Sequence, residues 1–152
     1  FTPVADRLRV MGSDGTSLRV NVDDGKVVVD GSHKYKDGDA NAGKAPKVVA
    51  GAYSSSWKGT KATALYNVDV ATGALVSQNP PNDGVLNTIG SLGITLNAPV
   101  AFNIVAIGED QNDGWLATGG SLYKVDIKTG KAMMVGKIEG LSGTLNDIAW
   151  ID

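Results

Sequence analysis

One phrase recurs three times along the chain. Ser121–Val135 reads SLYKVDIKTGKAMMV, Ala64–Val76 reads ALYNVDVATGALV, and Ser17–Val28 reads SLRVNVDDGKVV. Aligned on the turn glycine, Gly25, Gly73 and Gly130 coincide. Tyr66 and Tyr123 then match, with Leu18 in the third copy, and so do Val20, Val68 and Val125, and Val22, Val70 and Ile127. The polar residue between the last two sets is Asn21, Asp69 or Asp126. Apolar side chains at every second position are the signature of a strand with one buried face. Each strand runs into a short turn ending in Gly, which suits a left-handed hairpin position. The Asp or Asn is placed to fold its side chain onto the turn amides.

Repeats of roughly 50 residues, each with about four short strands, are typical of propeller blades and related arrays. The chain has 152 residues, enough for a single domain with a real core. Its 42% hydrophobic and 20% charged residues are ordinary for a globular protein, and its 20 glycines suit many tight turns. A net charge of −2 without a basic run gives no electrostatic footprint for nucleic acid. No apolar stretch has the length of a membrane helix; Ala98–Ile107 comes nearest and is interrupted by Pro99 and Asn103. The absence of cysteine excludes disulfides, thiolate catalysis and zinc–cysteine sites. The opening Phe1-Thr-Pro lacks an initiator Met and reads as a processed or truncated start.

No amphipathic helix survives the prolines and glycines, so the expected fold is all-β over a single domain, residues 1–152. Strands are expected at 6–11, 17–22 and 26–30 in the first unit, then at 47–53, 62–70, 74–78 and 85–89. The last unit supplies 101–108, 114–118, 121–127 and 131–138. Gly31–Pro46 reads as a polar loop, Ser77–Gly84 as a rigid turn, and Glu109–Gly114 as an acidic turn. These strands make a propeller-like array of about three four-stranded blades. A leftover strand at 145–152 would either complete the first unit and close the ring, or a second chain would complete it, because unpaired edges invite association.

Several phrases carry a family resemblance. They are PVADRLRV from Pro3 to Val10, LRVN from Leu18 to Asn21, GDANAG from Gly38 to Gly43 with Pro46, Ala52-Tyr53, and QNPPNDGVLNTIG from Gln78 to Gly90. With the LYxVD phrases, the chain resembles the uncharacterised bacterial domain family numbered 4394. Here it would correspond to the C-terminal part of longer members, which carry about a hundred further upstream residues. The resemblance implies a propeller-like fold and a secreted or cell-surface location. It implies no activity.

Candidate chemistry is sparse. Asp37, Asp39 and Asn41 place three oxygen ligands at alternate positions, as loops that wrap Ca²⁺ do, although Val48 stands where an EF-hand needs its bidentate Glu. The competing reading is a self-bonded Asx turn. His33, the single histidine, lies in the polar loop and is expected to be exposed; no Gly-x-Ser-x-Gly phrase accompanies it. Asp6 and Arg7 are candidates for a bracing ion pair. Tyr66 and Tyr123 share the buried register, leaving Trp57 and Trp115, beside turns, as candidates for a ligand-binding surface. The functional expectation is a secreted, non-catalytic binding or structural module that self-associates or binds a protein or polysaccharide. The alternatives are a metal-dependent lactonase-like or glycan-directed hydrolase and a Ca²⁺-stabilised carbohydrate binder.

Overall fold

A computed structural model describes residues 1–108 and 111–151. Within them are twelve strands in three sheets and no α-helix; a single 3-10 turn covers Pro81–Asp83. The first sheet holds β1 (Leu8–Met11), β2 (Ser17–Val20) and β3 (Val27–Val29), in that order. The second holds β4 (Lys34–Tyr35), β5 (Val48–Tyr53), β6 (Leu65–Asp69), β7 (Ala74–Gln78) and β8 (Val85–Ser91), ordered β4-β8-β7-β6-β5. The third is the antiparallel run β9 (Val100–Gly108), β10 (Gln111–Thr118), β11 (Ser121–Val125) and β12 (Ala132–Lys137).

The repeat forms the same hairpin three times, as β2–β3, β6–β7 and β11–β12. Gly25, Gly73 and Gly130 take φ of +69°, +63° and +80°, the left-handed region the turn requires. The Asx residues close those turns. Asn21 Oδ1 accepts from Asp23 N–H at 3.2 Å, Asp69 Oδ1 from Ala71 at 2.9 Å, and Asp126 Oδ1 from Lys128 at 2.8 Å.

The main core lies between the second and third sheets, where β5 runs beside β9. Val68, Leu75, Phe102, Ile104, Leu116 and Val125 fill it, with Tyr66 and Tyr123 half-buried against its margin. Leu92, fully buried, stitches the two hairpins together: its N–H donates to Gly73 and its carbonyl accepts from Ala132, both at 3.0 Å. A smaller cluster of Tyr35, Val48, Ala74, Val76 and Leu86 lies within the second sheet and its β4 edge. The first and second sheets meet where Gly51 lets β5 approach β1; a Cβ there would strike the Met11 Cε and the Asn67 side chain.

Three expectations require correction. Residues 144–151 form no strand, so they complete no sheet; their chain instead lies against the third sheet, with Asn103 Nδ2 donating to the Ile148 carbonyl at 3.2 Å. Asp152 lies outside the described residues. The polar run 31–46 contains β4, which pairs in parallel with β8 (Lys34 with Val85, Tyr35 with Leu86). Of the acidic turn, Glu109 and Asp110 lie outside the described residues, whereas Gln111–Gly114 belongs to β10. A two-residue strand carries no periodicity, and β10 starts on polar residues, so neither edge was visible in the alternation.

Candidate functional site: an arginine-lined cleft

The hairpin β1–β2 sets Arg9 directly opposite Arg19. Like charges facing each other across a ladder repel. Asp30, just past β3, lies between them. Its Oδ2 accepts from Arg9 Nη1 at 2.8 Å, and both its oxygens accept from Arg19 Nε at 2.8 and 3.0 Å. The Arg9 and Asp30 side chains are each 3% exposed and Arg19 is 31% exposed. The Asp30 pairing holds the Arg19 guanidinium above its ordinary pKa. Arg9 uses its remaining nitrogens as a clamp across the sheets: Nε donates to Tyr53 Oη at 2.9 Å, Nη1 also to Ser17 Oγ at 3.0 Å, and Nη2 to Asn82 Oδ1 at 2.7 Å.

The expected Asp6–Arg7 ion pair does not form. Asp6 takes a left-handed φ of 44°, and Arg7 Nη1 donates to its backbone carbonyl at 2.8 Å. Arg7 is instead tied to Thr2 through a bridge in which Thr2 N–H donates to the Arg7 carbonyl at 2.9 Å. Arg7, Arg9 and Arg19 then line one cleft of about 530 Å³, together with Thr2, Tyr53 and Tyr66. Burial raises the pKa of the Tyr66 phenol.

Behind the cleft the second sheet carries a buried polar layer. Asn67 Nδ2 donates to Gln78 Oε1 at 2.7 Å, and Gln78 Nε2 to the Pro81 carbonyl at 2.6 Å. Asp69 is fully buried and accepts from the Lys47 and Ala71 amides, from the Thr72 hydroxyl and from the Tyr35 phenol. Burial, then the Asp69 carboxylate, pushes the Tyr35 phenol far above its usual pKa. His33 is buried at 8% exposure rather than open to solvent. Both its nitrogens lack a hydrogen-bond partner among the described residues. Desolvation, reinforced by Arg9, lowers its pKa below 6.5, with Gln78, Asp14 and Asp69 pulling the other way.

The other candidates lie apart from this cleft. Asp39 turns inward: Oδ1 accepts from Asn41 N–H at 2.8 Å and Thr88 Oγ1 at 2.6 Å, and Oδ2 from Thr88 N–H at 2.7 Å. Desolvation raises the Asp39 pKa, but the Thr88 and Asn41 donors outweigh it and hold it below the usual range. Asn41 Oδ1 accepts from Lys44 Nζ at 2.8 Å, and Asp37 is exposed. Among the described residues no group of three His, Asp or Glu is gathered as a metal site.

Trp57 and Trp115 line separate hollows, of about 500 and 460 Å³. The 145–150 segment contributes to both. Trp115 stacks on Trp150 with centroids 6.4 Å apart and planes at 24°, and Lys124 Nζ lies 5.8 Å from the Trp115 ring centroid.

Sequence reasoning missed Arg9, Arg19, Asp30, Tyr35 and the burial of Asp69. The available signal was a lone Arg flanked by apolar residues in two facing strands, Leu8-Arg9-Val10 and Leu18-Arg19-Val20.

Fold and cleft together define a three-sheet, all-β protein with a cationic hollow between its first two sheets. The chain belongs to the family described as Domain of unknown function (DUF4394), whose profile matches residues 1–149. That match takes in nearly the whole chain, so the narrower reading as a C-terminal part is set aside. No curated protein matches it.

Proposed function

We propose that this chain is a non-catalytic module of a secreted or cell-surface assembly, with its sheets arranged as propeller-like blades, and that it associates with a second copy of itself. The observation that carries this reading is the outer face of the first sheet. Leu8 pairs with Val20, Val10 with Leu18, Leu18 with Val29 and Val20 with Val27, so six apolar side chains share one face. The opposite face, with Arg9, Met11 and Ser17, is turned to the second sheet. Among the described residues no layer covers the apolar face: Leu8 is 39% exposed, Val10 45%, Val27 54% and Val29 77%. A sheet face of this composition normally packs on another layer.

The third sheet and the segment beside it offer a second exposed apolar surface. Met133, Val135, Trp150 and Ile151 are all more than half exposed on or beside the third sheet. A head-to-tail contact between the two ends is heterologous, and two copies that close a ring make it twice. The family resemblance is what supports the extracellular location. Light scattering tests the association: Val10→Asp with Val29→Asp in one chain is expected to halve the mass in solution while preserving the β-sheet circular dichroism. An unchanged mass in a folded double variant rules out this face as the contact.

A further inference from the structure

The first sheet is held to its neighbour by a different kind of contact from the one that joins the second sheet to the third. No residue of β1, β2 or β3 belongs to either apolar cluster. Among the described residues, the hydrogen bonds that reach from this sheet and its exit at Gly31 to the second sheet and the 81–84 turn are polar clamps. Arg9 donates to Tyr53 Oη and Asn82 Oδ1, and the Gly31 amide donates to the Asn82 carbonyl at 2.8 Å. An element docked outside the apolar core is of the kind that opens before the rest of a fold.

His33 lies at this junction. Its amide donates to the Gly15 carbonyl in the β1–β2 turn at 3.4 Å, and the next residue, Lys34, begins β4 of the second sheet. The ring is buried, and neither nitrogen has a hydrogen-bond partner among the described residues. Arg9 on β1, Asp14 in the turn after it, Asp69 at the end of β6 and Gln78 at the end of β7 face it. All four are already engaged. Arg9 is bound to Asp30, and Asp14 Oδ1 accepts from the Thr16 amide at 2.9 Å. Asp69 accepts from Tyr35, Thr72 and the Lys47 and Ala71 amides, and Gln78 is shared between Asn67 and the Pro81 carbonyl. A neutral imidazole leaves one donor and one acceptor unpaired here, whereas an imidazolium buries two donors and a charge beside Arg9.

We infer that the first sheet is an acid-released element: when His33 takes up a proton, residues 8–30 come away from the second sheet while the second and third sheets stay folded. Desolvation and the Arg9 charge keep the ring neutral at pH 7, so the opened form takes the proton first as pH falls below 6.5. The Asp14 and Asp69 carboxylates oppose the release without cancelling it. The device is complete in a single chain and does not rest on self-association.

The test is backbone hydrogen exchange on the intact chain at pH 7 and pH 5, corrected for the intrinsic effect of pH. The Asn21 and Asp30 amides, which donate within the first sheet's β2–β3 hairpin, are expected to lose protection at pH 5. The Leu92 and Ala132 amides, which join the second and third sheets, are expected to keep it. His33→Leu is expected to abolish the loss, and His33→Gln serves if the Leu chain does not fold. The ring proton of this single histidine gives an independent reading by NMR, with a midpoint expected below 6.5. Equal loss of protection in all three sheets overturns the inference, as does unchanged protection of Asn21 and Asp30. The same acid loss in a folded His33 variant, or a ring midpoint at or above 6.5, also overturns it.

Discussion

Gly25 and Gly90 are glycines for different physical reasons. Gly25 needs its left-handed φ of +69°, and a Cβ there would meet nothing within 4 Å. Gly90 has room in φ but none in space, because a Cβ would collide with the Thr129 carbonyl where the third hairpin docks on β8. Gly25→Ala is expected to cost about 1–2 kcal/mol, the strain of one left-handed residue. Gly90→Ala is expected to cost more, about 3 kcal/mol or above, since backbone must move against backbone. Urea denaturation of the two variants checks the order. Asp39→Ala is expected to lower stability by about 2 kcal/mol through the loss of the Thr88 bonds, by the same amount with Ca²⁺ or with chelator. A loss that vanishes in chelator would restore the metal reading of the 37–41 loop.

His33 makes a pH prediction at the same scale. Its folded pKa lies below 6.5, so the unfolded chain takes up the proton first as pH falls. Stability is therefore full above pH 6.5 and declines as pH drops from there toward the folded pKa. The groups around the ring, Arg9, Asp14, Asp69 and Gln78, include two carboxylates that soften the shift without reversing it. His33→Leu is expected to flatten the melting temperature between pH 7 and pH 5. A slope equal to the wild type would place the titrating group elsewhere. The loop reading of 31–46 hid this residue: polarity of the neighbours said surface, but His33, just before β4, and Tyr35 within it are both buried, beside a polar layer that no periodicity reveals.

At the scale of elements, the three hairpins were legible because their information is local: a period of two, an Asx residue and a glycine. Asn21, Asp69 and Asp126 all do what the pattern implies. What joins one sheet to the next was not legible, because it depends on residues far apart in sequence. Arg9 reaches Asp30, Tyr53 and Asn82 together, and no spacing rule connects those four. Asp30→Ala leaves two guanidiniums facing across β1–β2, one of them almost fully buried, and is expected to cost about 3–5 kcal/mol. Asp24→Ala removes an exposed pair with Lys26 and is expected to leave the melting temperature unchanged within error. Equal effects from the two would mean that Asp30 does not organise the first sheet. Trp115 shows the same division: its strand was foreseen, but its partner Trp150 lies on a segment read as a strand and found to form none.

At the scale of the whole molecule, the stack of three sheets ends on an uncovered apolar face. Between the second and third sheets the apolar faces cover each other, whereas the first sheet presents Leu8, Val10, Leu18, Val20, Val27 and Val29 outward. Burial of such a face contributes about 25 cal/mol for each Å² removed from water, set against the ordering cost of association. A closed pair makes the contact twice for one association event. Sedimentation or light scattering across a concentration series reads the outcome most directly. The expected species has twice the 15.7 kDa chain mass and dissociates on dilution or on Val10→Asp with Val29→Asp. A single 15.7 kDa species at every concentration, or open-ended growth to larger masses, would contradict it.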